Sequence, residues 1–346
     1  MTRRTRTRRG TTLVELMVAA AMSIMVMWLL TWCYQQGLAS FSNTKAHGDL
    51  MDQERMVTSV MTRDLKADHF LEEDGKPNRG RRVRDQRLDQ GGYTPPRSGF
   101  FWAKSPLNSG FDEGIDGDSF QSTRSTSHAL QLTVILPGGP PENMFNADVP
   151  IYGAPLYGRA AEVTYFLSPS GRSPGGYQLY NLIRRQRLCA LTTDDAPAYN
   201  QKLKDLAVQP ADATEVMAVT NASPPTILTL GNLTVPANRL PQPFVPIGTT
   251  YRLGEDILMS NVTSLEIKFA GSGFTTVTPS NPTGTWPEAF PGNSDYPYGN
   301  LPANGQFDTG SPNTSAKVRI TGAMIRLRAY ESRTRITRQT TFVVDL

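Results

Sequence analysis

The chain has 346 residues, enough for one large domain or two small ones, and a formal net charge of +4 at pH 7. Taking away the five arginines ahead of Gly10 leaves 30 basic residues against 31 acidic ones, so the bulk is near neutral and its charge asks for no polyanionic partner. Two cysteines exclude a disulfide framework and a cysteine-built zinc cluster, and the lack of GxSxG, HExxH, P-loop or dinucleotide fingerprints argues against an enzyme and against a cofactor.

Arg3, Arg4, Arg6, Arg8 and Arg9 precede Gly10, and after Glu15 come nineteen uncharged residues from Leu16 to Tyr34. That run has membrane length. The arginines orient it with the N-terminus in the cytoplasm and everything beyond about Tyr34 outside. A carboxylate in such a segment costs on the order of 2.5–3.5 kcal/mol at a helix centre, so Glu15 asks for a partner.

The segment Arg9-Gly10-Thr11-Thr12-Leu13-Val14-Glu15-Leu16 with its apolar sequel resembles the class III signal of type IV pilins and type II secretion pseudopilins. Those are cut after a glycine, with a glutamate five residues beyond the cut. The resemblance implies cleavage by prepilin peptidase after Gly10, a new N-terminus at Thr11, where the family usually has Phe and often methylates the amine, and assembly through Glu15. Cleavage would put an α-amino cation beside a helix start that already presents unpaired N–H groups. A carboxylate one turn along is favoured there, and it can pair with the amine of a neighbouring copy. Two other readings compete: an unprocessed single-span anchor bearing a binding domain, which needs neither Gly10 nor Glu15, and an ordinary secretory signal ending near Gly37-Leu38-Ala39, which Glu15 opposes.

Thr11 to about Glu72 holds no proline, and Leu50, Val57, Met61 and Leu65 recur at helical spacing. One helix is predicted, its membrane part over 11–34 and an amphipathic continuation over 35–72, with Asp49, Asp52, Arg55, Arg63, Asp64 and Lys66 on its other faces. Asp74-Gly75-Lys76-Pro77 ends it. Residues 75–127 read as loops with one short strand at Ser98–Ala103. Strands follow at 130–136, 163–167 and 177–188, separated by Pro- and Gly-rich turns. Residues 191–250 read as a Pro- and Thr-rich insertion with weak strand content at 226–235. The segment 254–262 reads as a short helix or turn before a strand at 262–269, and 271–314 as a second insertion. Two long strands, 317–330 and 335–346, close the chain, with a bulge at Gly322 where the apolar phase shifts.

The order of these features, with Asp256-Ile257-Leu258-Met259-Ser260-Asn261-Val262 ahead of a variable loop and a late strand, is similar to J-type minor pseudopilins and PilW-like minor pilins. The resemblance implies an α+β, pilin-like fold: a leader over 1–10, then a helix whose outer half packs on an antiparallel sheet in a periplasmic domain over 73–346. It implies a non-enzymatic subunit of the inner membrane, placed near a filament tip, whose partners are prepilin peptidase, other minor and major subunits and secreted cargo.

Asp112, Glu113, Asp116 and Asp118 on a glycine loop are a weak calcium candidate, lacking the EF-hand spacing. Arg79, Arg81, Arg82, Arg84 and Arg87 beside Tyr93, Phe100 and Trp102 are a weak nucleic-acid candidate, interrupted by Asp85 and Asp89. Cys33 and Cys189 read as unpaired, mostly buried thiols. His47 and His69, both on the predicted helix, lie too far apart to share a ligand, and His128 stands alone.

Overall fold

The computed structural model describes residues 12–71, 80–86, 96–104, 110–115, 121–147, 155–174, 178–205, 210–241, 244, 254–272, 298–299, 306–310, 319–331 and 336–346. The chain divides into two units, Met1–Asp52 and Gln53–Leu346. A single helix, α1 (Leu13–Lys66), begins in the first and ends in the second. It carries Glu15 in its first turn and Arg63 and Lys66 in its last, the charge order a helix dipole favours. The predicted periodicity holds, since Leu50, Val57, Met61 and Leu65 are all buried. The helix stops six residues short of the expected 72. Beyond Lys66 the backbone is claimed by strands: the Ile135 amide donates to the Asp68 carbonyl at 2.8 Å, and that of His69 to the Arg81 carbonyl at 2.8 Å.

In the second unit, β1 (Phe70–Leu71) pairs with β2 (Gly80–Arg81). After β3 (Phe101–Lys104) comes a hairpin of β4 (Gly110–Ile115) and β5 (Gln121–Ser125), then β6 (Ala129–Ile135). A small pair, β7 (Phe145–Ala147) and β8 (Leu156–Gly158), leads to the long strands β9 (Ala160–Pro169) and β10 (Tyr180–Cys189). Three short helices follow, α2 (Ala196–Asp205), α3 (Pro210–Val216) and α4 (Leu230–Leu233). The rest is β11 (Glu255–Ser272), β12 (Tyr298–Gly299), β13 (Gln306–Asp308), β14 (Arg319–Glu331) and β15 (Ile336–Asp345). Nine strands form one antiparallel sheet in the order β13-β3-β6-β9-β10-β11-β14-β15, with β12 against β11.

Three expectations need correction. The stretch 254–262 is the start of β11 and not a helix. Its register against β10 is irregular and Asn261 has φ of 56°, so the local twist hides the alternation that marks a strand. Residues 75–127 hold the expected strand as β3 and, besides it, a hairpin and the short β2 among their described parts. The insertion at 191–250 carries three short helices that the sequence did not announce, while the weak strand content expected at 226–235 is present as bridges of Ile227 to Val219 and of Thr229 to Ala190; Thr229 then caps α4, its hydroxyl accepting from the Asn232 amide at 3.3 Å. The bulge near Gly322 is present: Ala270 faces Gly322 and Gly271 faces Ile320, leaving Thr321 as the extra residue.

The 191–250 insertion explains why β6 is buried along its whole length and β9 along all but its last residue. On one face of the sheet Leu130, Leu132, Val163, Tyr165 and Leu182 are buried on the side of the last turns of α1, where Asp64 bonds Tyr165. On the far face Phe100, Trp102, Phe166, Ile183 and Cys189 pack with Leu191, Ala218, Leu230 and Leu233 of the insertion. The insertion is therefore a second cover, and the polar residues that alternate on that face are buried as well.

Gly254 sits at the turn into β11 with φ of 79°, and a Cβ there would lie 2.7 Å from the Gln186 carbonyl oxygen. Gly254→Ala is expected to cost about 1–3 kcal/mol, read as a lower urea midpoint with an unchanged slope.

Candidate functional site

At the start of α1 the Thr12 amide donates to Glu15 Oε2 at 2.9 Å and the Glu15 amide to Thr12 Oγ1 at 3.3 Å. This is a reciprocal capping box, with two of the orphan donors of the first turn satisfied by the two side chains of a Thr-x-x-Glu signature. The carboxylate thus has a backbone partner within its own chain. Glu15 stands where the sequence places it; Gly10 and Thr11 lie outside the described residues. The helix behind the box is long and apolar enough to cross a membrane, and none of that window is buried by the chain itself. Leu13, Met17, Ile24, Trp28 and Tyr34 are all exposed. Its length and composition are those of a single membrane-crossing helix. Sequence reading found Glu15 but not its partner Thr12, although the capping-box pattern is legible in residues 12–15.

At the other end of the helix lies a constellation that sequence reading missed. Asp64, taken to lie on a solvent face, is fully buried. Its Oδ2 accepts from the Tyr165 hydroxyl at 2.6 Å and from Arg184 Nε at 2.8 Å, and its Oδ1 from Arg63 Nη2 at 2.9 Å. Arg184 Nη1 also donates to Gln186 at 3.0 Å. Burial works against the Arg184 charge, but Asp64 beside it pushes its pKa up, and burial next to Asp64 does the same to the Tyr165 phenol. Arg63, Gln186, Glu142 and Asp256 line a solvent-open cleft of about 290 Å³ beside this knot.

The far face of the sheet holds a second knot. Glu162 Oε1 accepts from Gln131 at 2.6 Å and from the Leu240 amide at 2.8 Å, while Oε2 accepts from Arg187 Nε at 2.7 Å. Arg185 pairs with Glu255 at 3.2 Å. Arg239 donates to the Leu233 and Thr234 carbonyls and to Asp308, with its guanidinium 3.9 Å over the Phe100 ring. These contacts satisfy charge in the interior. Each of these carboxylates is held by cations or donors, an arrangement that fixes geometry.

The weaker sequence candidates fare differently. Asp112 lies on β4, while Asp116 and Asp118 lie outside the described residues; among the described residues no three His, Cys, Asp or Glu side chains converge as a metal site. Of the arginine run, Arg79 and Arg87 lie outside the described residues with Tyr93, and Phe100 and Trp102 are buried rather than offered to a base. Both cysteines are free; Cys33 is exposed, contrary to expectation, because it sits in the uncovered helix, and burial pushes the Cys189 thiol up. His69 is not on the helix but three residues past its end, buried, its Nδ1 2.7 Å from the Thr133 carbonyl and its Nε2 3.1 Å from that of Leu65. His128 accepts from the Ile267 amide through Nδ1 at 3.1 Å, which places the proton of the neutral ring on Nε2. Its neighbour Glu266 has its carboxyl pushed up by burial, but Lys268 at 3.1 Å and Arg326 at 2.9 Å outweigh that and hold it low.

Burial pushes His128 down to about 4 and also lowers His69. Both are neutral in the fold but take a proton near 6.5 when unfolded, so their contribution is complete above that pH and is lost as pH falls towards 4. His128 alone is expected to remove about 3 kcal/mol over that window. Urea titrations between pH 7 and pH 4 check this, and His128→Gln should flatten the pH dependence. Asp64→Ala leaves Arg184 buried without its counter-ion and should cost about 3–5 kcal/mol, whereas Tyr165→Phe should cost only about 1–2 kcal/mol, both read from the same denaturant curves.

No protein-family model matches the chain, and neither a curated protein nor a solved structure is significantly similar to it.

Proposed function

We propose that this chain is a minor subunit of a pilin-like filament, a minor pseudopilin or minor pilin, cut after Gly10 by prepilin peptidase and assembled through Glu15. The observation that carries the reading is the glutamate in the first turn of a membrane-length helix that runs without a break into a β-rich domain. In the free chain that carboxylate accepts the Thr12 amide. In the filament the terminal amine of a neighbouring subunit takes the same carboxylate, a charge pair in place of a single hydrogen bond, and this fixes the register between subunits. The buried ion pairs of the second unit suit a scaffold, and on this reading its role is structural rather than catalytic. The partners are the peptidase, the other subunits of the filament and cargo met at its tip, and the chain waits in the inner membrane with its N-terminus in the cytoplasm.

The intact mass and N-terminal sequence of the membrane-extracted protein test this, in cells with and without prepilin peptidase. A start at Thr11 only when the peptidase is present is expected. A start at Met1 in both leaves a plain anchor, and a start near Ser40 means an ordinary secretory signal. Glu15→Ala should be cleaved normally yet fail to enter filaments recovered by shearing, and normal recovery of that variant would sink the assembly role. A bulky residue at Gly10 should leave the mass unprocessed.

A further inference from the structure

The two edges of the main sheet are unlike. The β13 edge is three residues long and is pinned by the Asp308–Arg239 ion pair at 2.8 Å. The β15 edge runs for ten residues, Ile336–Asp345, in unbroken register with β14, and no described strand pairs with its outer side. It contains no Pro, no Gly and no bulge, the usual means of blunting an edge. Six of its ten residues are β-branched and only two are charged, a composition that favours pairing. Ile336 and Val343 are exposed on it.

The register tells which groups face outward. The Leu346 amide donates to Thr321 across from it at 3.0 Å, so the even-numbered residues of β15 direct N–H and C=O to β14. In an antiparallel ladder hydrogen-bonded pairs alternate. The odd-numbered residues Thr337, Gln339, Thr341, Val343 and Asp345 therefore turn their main-chain groups outward. The even-numbered Arg338 lies on the α1 side of the edge, its Nε 3.1 Å from Glu54. Its side chain is 36% exposed, and among the described residues its terminal nitrogens have no partner.

We infer that the β15 edge is a docking strand for an extended segment of a different polypeptide, one that adds to the sheet and sets a carboxylate against Arg338. An antiparallel pair of β15 edges from two copies of this chain does not meet that demand. Two edges paired in that way are related by a two-fold axis normal to the sheet, which keeps side chains of one face together, so Arg338 would meet even-numbered residues. Those are Ile336, Arg338, Thr340, Phe342, Val344 and Leu346, none with an acidic side chain; Asp345 is odd-numbered and on the opposite face. Strand addition of this kind takes its affinity from main-chain hydrogen bonds and its selectivity from the flanking side chains. The inference stands on the edge alone and does not need the filament reading.

Full-length protein in detergent micelles provides the test, with a fluorescent strand peptide of alternating threonine and valine and a single glutamate as the probe. Saturable binding is expected by anisotropy. Glutamine in place of the peptide's glutamate, or Arg338→Gln in the protein, should weaken it by about tenfold, a loss of about 1.4 kcal/mol. Thr341→Pro removes an outward N–H and leaves the β14 ladder intact, a position where an edge strand tolerates proline. It should abolish binding while the unfolding midpoint stays at the wild-type value. No saturable binding, or equal binding to Thr341→Pro, overturns the docking strand. Equal affinity for the glutamate and glutamine peptides overturns the carboxylate. A wild-type dimer that Thr341→Pro dissociates assigns the edge to a second copy and overturns the different-chain partner.

Discussion

A carboxylate that cannot reach water must be shared among donors, and the second unit is organised around one that is. Asp64 stands in the last turn of α1 and is held at once by Tyr165 of β9, Arg184 of β10 and Arg63 beside it. The two strands are neighbours in the middle of the sheet, so one residue fixes both the depth and the rotation at which the end of the helix meets it. Apolar contact through Val57, Met61 and Leu65 supplies area but little direction. The hydrogen-bonded ion pair supplies direction, because guanidinium and phenol have narrow geometries.

The far face of the sheet follows the same rule under a different cover. Gln131, Thr133, Glu162, Thr164, Arg185 and Arg187 occupy positions that in an open antiparallel sheet would meet solvent. Here the segment after β10 returns over them with Leu230, Leu233 and Leu240, and water is removed from groups that need it. The structure compensates residue by residue: Glu162 is shared by Gln131, Arg187 and the Leu240 amide, and Arg185 faces Glu255. Such a layer adds little net stability over an apolar one of the same volume, but removal of either partner leaves a charge with no compensation. The pairs Glu162–Arg187 and Arg185–Glu255 join neighbouring strands, and Arg239 of the cover reaches Asp308 of β13.

How much of this was legible in the sequence depended on whether the signal was local. The long helix was, because proline is absent and the apolar spacing is regular over many turns. The strands β6, β9, β10, β14 and β15 were, because turn chemistry separates them, and Gly322 even marked its bulge. The start of β11 was not, since Asn261 in a left-handed conformation breaks the period by which strands are recognised. The helices of the 191–250 segment were not, because short helices on a sheet draw their stability from tertiary contact rather than propensity. Asp64 was misplaced for the reason that burial of a charge is decided by a partner 101 and 120 residues away, Tyr165 and Arg184, and no window of sequence contains both. Thr12 was legible and overlooked: its pattern is complete within four residues.

The helix that begins at the Thr12 cap and ends at the Asp64 knot is also a mechanical element. Its backbone cannot lengthen without breaking i to i−4 bonds. A pull along it is therefore passed on rather than absorbed, and arrives at a single carboxylate. There the load divides between Tyr165 on one strand and Arg184 on the next, two anchorages stretched in parallel and set in a sheet strained along its hydrogen-bonded direction. Tension along the helix is in this way converted into shear between β9 and β10, which are paired over ten residues without a register shift.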